Sequence, residues 1–158
     1  KAAQAENDPA AAWYYYLLGL GYYNMSYFGY EWEVTDFYRS GYNQLRLTQG
    51  PVFPLRNSPS GNRENIDVSL ALSYFEKSLS ASKTAEMAAR ASFMAARCRQ
   101  KQWFFDKDCT YKPGSKLIPT MPDSYMNYYT LLTTRYSNTK FYDAIVKECK
   151  WLEAYARR

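Results

Sequence analysis

The chain has 158 residues, of which 47% are hydrophobic and 22% charged, a balance that is typical of a folded globular domain and excludes wholesale disorder. Its net charge of +5 comes from basic residues that are scattered along the sequence, and an excess of this kind predicts no nucleic-acid partner. The absence of histidine excludes His-based acid–base chemistry, Ser-His and Cys-His nucleophile pairs, and His-ligated zinc.

The first predicted helix begins near Ala10, where Asp8 can act as N-cap and Pro9 occupies the first helical position. Its sequence, AAAWYYYLLGLGYYNM, is apolar nearly all round, which predicts a helix that is buried on more than one side. The apolar run Trp13–Tyr23 is shorter than the about 20 residues that a membrane span requires, so we expect no transmembrane segment.

One motif in this helix resembles a known family. The pattern Tyr15-x-x-Leu18-Gly19-x-x-Tyr22 is similar to the first-helix signature of the tetratricopeptide repeat (TPR). In that family the glycine permits close approach of two helices. The resemblance therefore implies that Gly19 lies where two helices nearly touch.

A second, shorter helix is predicted at Glu31–Arg39, which completes a first hairpin over residues 10–40. Glu31 and Thr35 occupy positions where the family prefers alanine and an aromatic residue. Either this second helix is shifted in register or the hairpin is irregular.

Two segments have no helical period and contain several prolines each: Gly41–Asp67, with Pro51, Pro54 and Pro59, and Asp106–Ser124, with Pro113, Pro119 and Pro122. Insertions of this length between helices are uncommon in compact domains unless they are functional or mobile. We expect them to carry the binding specificity of the protein.

A central hairpin is predicted over residues 66–105 from two amphipathic patterns that a short polar break separates. Ser82 or Thr84 can cap its second helix, and Glu86 lies in the first turn. Because Phe93 points away from the face that carries Met94, this second helix is expected to pack on two sides.

The same hairpin carries further resemblance to TPR proteins. ALSYFEKSL is similar to the second helix of a repeat, and Ala91-x-x-Met94-Ala95-x-x-Cys98 is similar to a weakened first helix of the next one. The two elements follow each other in the order that a repeat array would show.

A C-terminal hairpin is predicted over residues 124–157. The segment YYTLLTTRYSNTKFYDAIVKEC resembles hairpins of TPR proteins from bacterial cell envelopes, and Thr139 can cap its second helix. We expect that second helix to be continuous, with one apolar face formed by Phe141, Ile145, Cys149, Leu152 and Ala156.

The predicted fold is all-α: an α-solenoid of about three TPR-like helical hairpins with two long loop insertions, forming a single domain over residues 1–158. We expect five to seven helices and no β-sheet of consequence. The chain starts without a methionine or a signal pattern, so we also expect it to be part of a longer protein.

No catalytic or metal-binding constellation is present. The sequence lacks GxGxxG, Walker, HExxH and GxSxG motifs, and the pair Asp106 and Asp108 is typical of a solvated loop. Cys98 and Cys149 fall on apolar helix faces and are expected in the core, whereas Cys109, in a polar loop, is the candidate for pairing or reaction. We therefore predict a protein that is not an enzyme and that binds no cofactor or metal.

The function that the TPR resemblance implies is that of a non-catalytic scaffold or adaptor, which binds other protein subunits in a multi-protein assembly. Its setting would be the bacterial cell envelope, as a periplasmic, outer-membrane-associated or secretion-related subunit, with membrane association through a partner or a lipidated N-terminus outside this chain. The candidate partner-binding residues are aromatic: Tyr30, Trp32, Tyr42, Phe53, Tyr111, Trp151 and Tyr155.

The alternative is a protein of another class, which binds glycans or small ligands in outer-membrane nutrient uptake. Helical-repeat proteins of that class present sugar-stacking aromatic residues on inserted loops. The candidates here are the loop aromatics Tyr30, Trp32, Tyr42, Phe53 and Tyr111.

The first predicted helix lacks the polar outer face that a terminal helix of a solenoid normally has. We expect an upstream repeat, a partner subunit or one of the two insertions to cover it. Of these, an upstream repeat or a partner is favoured, and the isolated chain is expected to aggregate or self-associate.

Overall fold

The computed structural model describes residues 10–26, 28–29, 68–106, 108–110 and 117–157. These ranges contain six helices and no strand, which confirms the prediction of an all-helical fold for the part of the chain that they cover. The helices are α1 (Ala11–Asn24), α2 (Ser69–Ala81), α3 (Ala85–Phe104), α4 (Asp123–Arg135), α5 (Lys140–Glu148) and α6 (Lys150–Ala156). The predicted helix Glu31–Arg39 and the insertion Gly41–Asp67 lie outside these ranges.

Helix α3 is the centre of the fold, since α1, α2, α4 and α5 all pack against it. Its alanines permit close approach on several sides, and Ala89 and Ala95 have no exposed surface. Phe93 and Met94, which point in different directions, are 4% and 9% exposed. This confirms the prediction that the helix packs on two sides.

Helices α1 and α2 are antiparallel neighbours. The Ser78 hydroxyl on α2 donates a hydrogen bond to the carbonyl oxygen of Ala12 at 2.7 Å, and further along the pair the Tyr22 ring stacks on that of Tyr74 with centroids 5.4 Å apart. The helix that covers α1 is therefore α2, which follows it after residues 25–68.

Gly19 occupies the closest approach of this pair. A Cβ atom placed on Gly19 would lie 2.7 Å from Cε1 of the Phe75 ring, a separation that no ordinary side chain tolerates. The prediction that two helices nearly touch at Gly19 is confirmed, and the contact is made by Phe75, which is completely buried.

A short connection joins α2 to α3. The Thr84 hydroxyl accepts a hydrogen bond from the backbone N–H of Met87 at 3.3 Å, so Thr84 is the N-cap that the sequence predicted as one of two choices. Thr139 caps α5 in the same way by accepting from the N–H of Tyr142 at 3.2 Å.

The last predicted helix is not continuous, and the expectation of one unbroken helix is wrong. Cys149 has φ −100° and ψ 99°, which ends α5 and begins α6 in a new direction. The break allows Leu152 and Tyr155 to enter the core, where they are 0% and 9% exposed, whereas Ala156 is exposed. The burial of two large side chains compensates for the interrupted backbone hydrogen bonds.

Glu86 connects α3 to α5. Its carboxylate accepts hydrogen bonds from the backbone N–H groups of Lys140, at 2.6 Å, and Phe141, at 3.2 Å, which are the first residues of α5. These N–H groups have no partner within their own helix, and the positive end of the helix dipole favours an anion there. Glu86 thus fixes the start of α5 from a helix that lies 54 residues earlier in the chain.

We expect Glu86→Gln to lower the free energy of unfolding by about 0.5–2 kcal/mol, because an amide accepts these bonds more weakly and carries no charge. Urea unfolding followed by circular dichroism measures the change. Glu153→Gln is the matched control, since Glu153 makes only an exposed ion pair with Arg157, four residues along the same helix. Equal losses in the two variants would contradict the assigned role of Glu86.

Candidate functional site

Five of the seven aromatic residues predicted to bind a partner lie outside the described residues: Tyr30, Trp32, Tyr42, Phe53 and Tyr111. The other two lie on α6. Tyr155 is 9% exposed, stacks on Tyr129 with ring centroids 5.3 Å apart, and accepts a hydrogen bond from the N–H of Met121. Its ring therefore belongs to the packing between α6 and α4.

Trp151 is half-buried and contributes to packing on one side. Its ring meets Trp103 and Phe104 edge-on, at centroid distances of 6.1 and 5.7 Å. Its remaining surface lines a pocket that is described below.

The outer side of α1 is exposed and apolar. Trp13, Tyr14 and Leu17 are 47%, 46% and 45% exposed, and a Cβ atom placed on Gly21 would meet no atom within 4 Å. Trp13, Leu17 and Gly21 follow one another at four-residue intervals, so they form one stripe along the helix. We refer to Trp13, Tyr14 and Leu17 as the α1 outer face.

No charged residue occurs in α1, so nothing on this helix supplies the polar rim that usually surrounds an exposed apolar surface. The buried side of the same helix packs on α2 through Tyr15 and Gly19. Helix α1 thus presents apolar surface both to the core and to the outside, as its sequence predicted.

A second surface feature is an open pocket of about 320 Å³ between α3 and the junction of α5 with α6, which we call the α3–α6 pocket. Four of its lining residues are charged: Arg97, Lys101 and Lys150 are cationic and Glu148 is anionic. With three positive groups and one negative group, the lining has a formal charge of +2. The pocket is therefore basic.

Arg97 and Lys101 lie one turn apart on α3 and contact aromatic rings. The Arg97 guanidinium carbon is 5.8 Å from the centre of the Tyr23 ring and 5.9 Å from that of Phe93. The Lys101 ammonium is 4.9 Å from the centre of the Phe28 ring. In the described ranges, no carboxylate forms an ion pair with either cation. Ring faces partly replace the water that these cations lose on burial.

Burial lowers the pKa of the Lys101 ammonium to about 8, and the neighbouring positive charge of Arg97 lowers it further in the same direction. These are two separate effects: loss of water disfavours the charged ammonium, and the guanidinium repels it, while Cys149 acts in the opposite direction. Lys101 is still mostly protonated near neutral pH.

The rest of the pocket lining combines an apolar wall with an amide. The wall consists of Phe93, Ile145 and Trp151. Gln100 also lines the pocket; it is 4% exposed, and its buried Nε2 nitrogen has no hydrogen-bond acceptor. A buried amide donor without an acceptor costs about 1–3 kcal/mol, a cost that a ligand acceptor reaching it would remove.

Sequence analysis did not identify this pocket. Neither Arg97, on the side of the α3 pattern that also carries Glu86 and Arg90, nor Lys101 was among the predicted site residues. Their four-residue spacing, on a helix whose other faces are apolar, was the available signal. What the sequence did not reveal is that α5 and α6 fold over this side of α3.

All three cysteines have free thiols. Cys98 has no exposed surface, which confirms its predicted place in the core, and its burial raises the pKa of the thiol. Cys109 and Cys149 are half-buried, and Cys149 lines the α3–α6 pocket.

Comparisons of the chain with protein-family models, with curated proteins and with solved structures found no match. The resemblance to tetratricopeptide repeats therefore depends on the sequence motifs alone. Among the described helices, none combines the length and apolar character that crossing a bilayer demands. The same residues contain no group of three or more cysteine, aspartate or glutamate side chains that could hold a metal ion.

Proposed function

We propose that this chain is a non-catalytic, TPR-like helical scaffold that binds another protein subunit through the α1 outer face. The observation that carries the proposal is the exposure of Trp13, Tyr14 and Leu17 on a helix without charged residues. Contiguous exposed apolar surface marks interaction sites, and aromatic residues supply much of the binding energy in protein interfaces.

The way α1 pairs with α2 supports the TPR-like part of the proposal. Helix α1 contains the motif that resembles a first helix, and α2 contains the motif that resembles a second helix. In a tetratricopeptide repeat these two helices pack against each other, with a small residue of the first close to a large residue of the second. Gly19 and Phe75 make such a contact here. On this interpretation α1 and α2 are one repeat, which residues 25–68 interrupt.

The bacterial cell envelope is the proposed setting of the assembly. This part of the proposal is based on the resemblance of residues 128–149 to the helical hairpins of envelope TPR proteins. The partner would be a subunit with a complementary apolar patch, because the α1 outer face offers no charge for electrostatic recognition.

We expect the double substitution Trp13→Glu with Leu17→Glu to abolish self-association of the isolated chain and its binding of hydrophobic dyes. Both side chains are about half exposed, so the change should alter the free energy of unfolding by about 1 kcal/mol or less. Light scattering at several concentrations, dye fluorescence and urea unfolding measure the three quantities. Leu117→Glu is the matched control, since Leu117 is 76% exposed and lies outside α1.

Affinity capture from the native source tests the partner itself. The proposal is supported if the wild type and the Leu117→Glu variant both capture a subunit that the double variant does not capture. If the wild-type chain were a monomer that resists dilution and binds no dye, the α1 outer face would not be an interaction surface.

A further inference from the structure

The α3–α6 pocket is lined by two cations that pack against aromatic rings. Arg97 and Lys101 lie against the rings of Tyr23, Phe93 and Phe28, and within the described residues neither forms an ion pair with a carboxylate. Partly burying a charge without a counter-ion opposes folding, because the aromatic rings compensate only part of the lost hydration. Two such charges on adjacent turns also repel each other. The arrangement has a cost for the empty protein that a bound anion would remove.

Gln100 is an independent observation that points to the same pocket. Its amide nitrogen is buried and lacks an acceptor, although nearly all buried polar groups in proteins are hydrogen-bonded. The amide lies on the helix between Arg97 and Lys101 in sequence, and it lines the same pocket. One pocket is therefore lined by two cations and one amide for which the described residues supply no carboxylate partner.

We propose that the α3–α6 pocket binds a small organic anion, whose carboxylate or phosphate group contacts Arg97 and Lys101 and whose apolar part contacts Phe93 and Trp151. Arginine provides a planar fork of N–H donors that matches both kinds of oxyanion, and lysine adds a second charge. Gln100 supplies a neutral donor to the same group.

The size and charge of the pocket define the ligand class. A volume of about 320 Å³ lies at the lower end of the range for small-molecule sites, which is about 300–1,000 Å³. The lining charge of +2 favours a ligand with two negative charges, and the wall of Phe93, Ile145 and Trp151 favours a ligand with a flat apolar part. Glu148 is exposed, so water screens its repulsion of an anion.

This site is separate from the α1 outer face, and the proposal does not depend on the scaffold function. Loss of partner binding in the α1 variants would leave anion binding intact. Conversely, substitutions in the pocket would leave self-association through α1 unchanged.

Titration calorimetry with phenyl phosphate and with phthalate tests the proposal on the whole chain. Arg97→Gln and Lys101→Met are each expected to weaken binding about tenfold or more, because each removes a charge-assisted hydrogen bond. Arg90→Gln and Lys77→Met are the matched controls. Both residues are exposed and contact a ring, at 5.1 Å from Phe141 and 5.2 Å from Tyr74, but neither lines the pocket.

Comparison of the probes separates the two parts of the site. Inorganic phosphate should bind about tenfold more weakly than phenyl phosphate, because it makes no contact with the apolar wall. Equal affinities would overturn the role of Phe93 and Trp151. The ratio of phthalate to phenyl phosphate affinity distinguishes a carboxylate ligand from a phosphate ligand, and either preference fits the proposal.

The stability of Lys101→Met provides a readout that a purely structural lysine would not give. Methionine keeps the apolar stem and removes the unneutralised charge, so the melting temperature of the ligand-free variant should rise by about 3 °C or more. A variant that is more stable than the wild type and binds the anion less well fits a binding residue. A fall in melting temperature would instead indicate that Lys101 stabilises the fold.

Binding should also depend on pH in one direction. The groups around Lys101 are Arg97 on its own helix and Glu148, Cys149 and Lys150 at the junction of α5 with α6. Because Lys101 has a pKa of about 8, the affinity should decrease as the pH rises from about 7 to about 9 and the ammonium loses its proton. In Lys101→Met this decrease should disappear. The proposal would be overturned if both probes failed to bind at about 10 mM. It would also be overturned if the wild type and both pocket variants bound the probes equally well.

Discussion

Trp103→Ala is expected to lower the free energy of unfolding by about 3–5 kcal/mol, the largest effect of any single substitution considered for this chain. Trp103 is 1% exposed and is the largest fully buried side chain among the described residues. Its ring lies against Phe104 and Trp151, at centroid distances of 5.9 and 6.1 Å, and so connects the end of α3 to α6. Removal of the indole leaves a cavity between these helices that the remaining side chains cannot fill.

Urea unfolding monitored by far-ultraviolet circular dichroism measures the loss. Trp13→Ala is the matched control, because it makes the same chemical change at a position that is 47% exposed. That variant should lose about 1 kcal/mol or less. Similar losses at the two positions would show that α6 does not pack on Trp103 in solution.

Substitution of Gly19 is expected to have the next largest effect. Gly19→Leu should destabilise the chain by about 1–3 kcal/mol, because it forces side-chain atoms into the space that the Phe75 ring already occupies. Phe75 has no exposed surface and cannot swing out into solvent to make room. Even Gly19→Ala adds a Cβ atom only 2.7 Å from the ring and should be destabilising.

Gly21 offers a control in the same helix. A Cβ atom at Gly21 meets nothing within 4 Å, so Gly21→Ala should stabilise the chain by about 0.5–1 kcal/mol through the higher helix propensity of alanine. Thermal unfolding of the two alanine variants should therefore show shifts of opposite sign. A melting temperature that does not change in either Gly19 variant would mean that α1 does not pack closely on α2.

The positions of the helices were predictable because the signals that define them are local. The periodic apolar residues of α2, α3 and α4 recur within single helices, and Thr84 and Thr139 bind backbone groups only three residues away. The excess apolar surface of α1 was equally visible, since a helix without charged residues, whose side chains are mostly apolar or aromatic, has no strongly polar face.

The partner of α1 was not predictable in this way. Sequence analysis placed the second helix of the first hairpin at Glu31–Arg39, outside the described residues, and favoured an upstream repeat or a partner as the cover of α1. In the structure α2 covers it, and the decisive contact joins Gly19 to Phe75 across more than fifty residues of chain. The motif correctly identified Gly19 as a point of close approach, but it carries no information about which ring lies there.

The break at Cys149 and the α3–α6 pocket also depend on tertiary contacts. The local pattern of residues 140–156 fits a single helix, whereas in the structure the chain bends, Leu152 and Tyr155 are buried, and the Tyr155 ring stacks on that of Tyr129. The same bend places Glu148, Cys149 and Trp151 opposite Arg97 and Lys101.

The sequence by itself thus determined where most of the described helices lie, which of their residues are apolar, and where α1 comes closest to another helix. These properties follow from neighbours within one or two turns of the chain. Only the tertiary structure decided which helix covers α1, where the last helix breaks, and that Arg97 and Lys101 line a pocket with no carboxylate paired to them in the described ranges. Those outcomes depend on contacts between residues that are far apart in sequence. Among alternative helix packings, the one that buries the most apolar surface at native packing density is favoured.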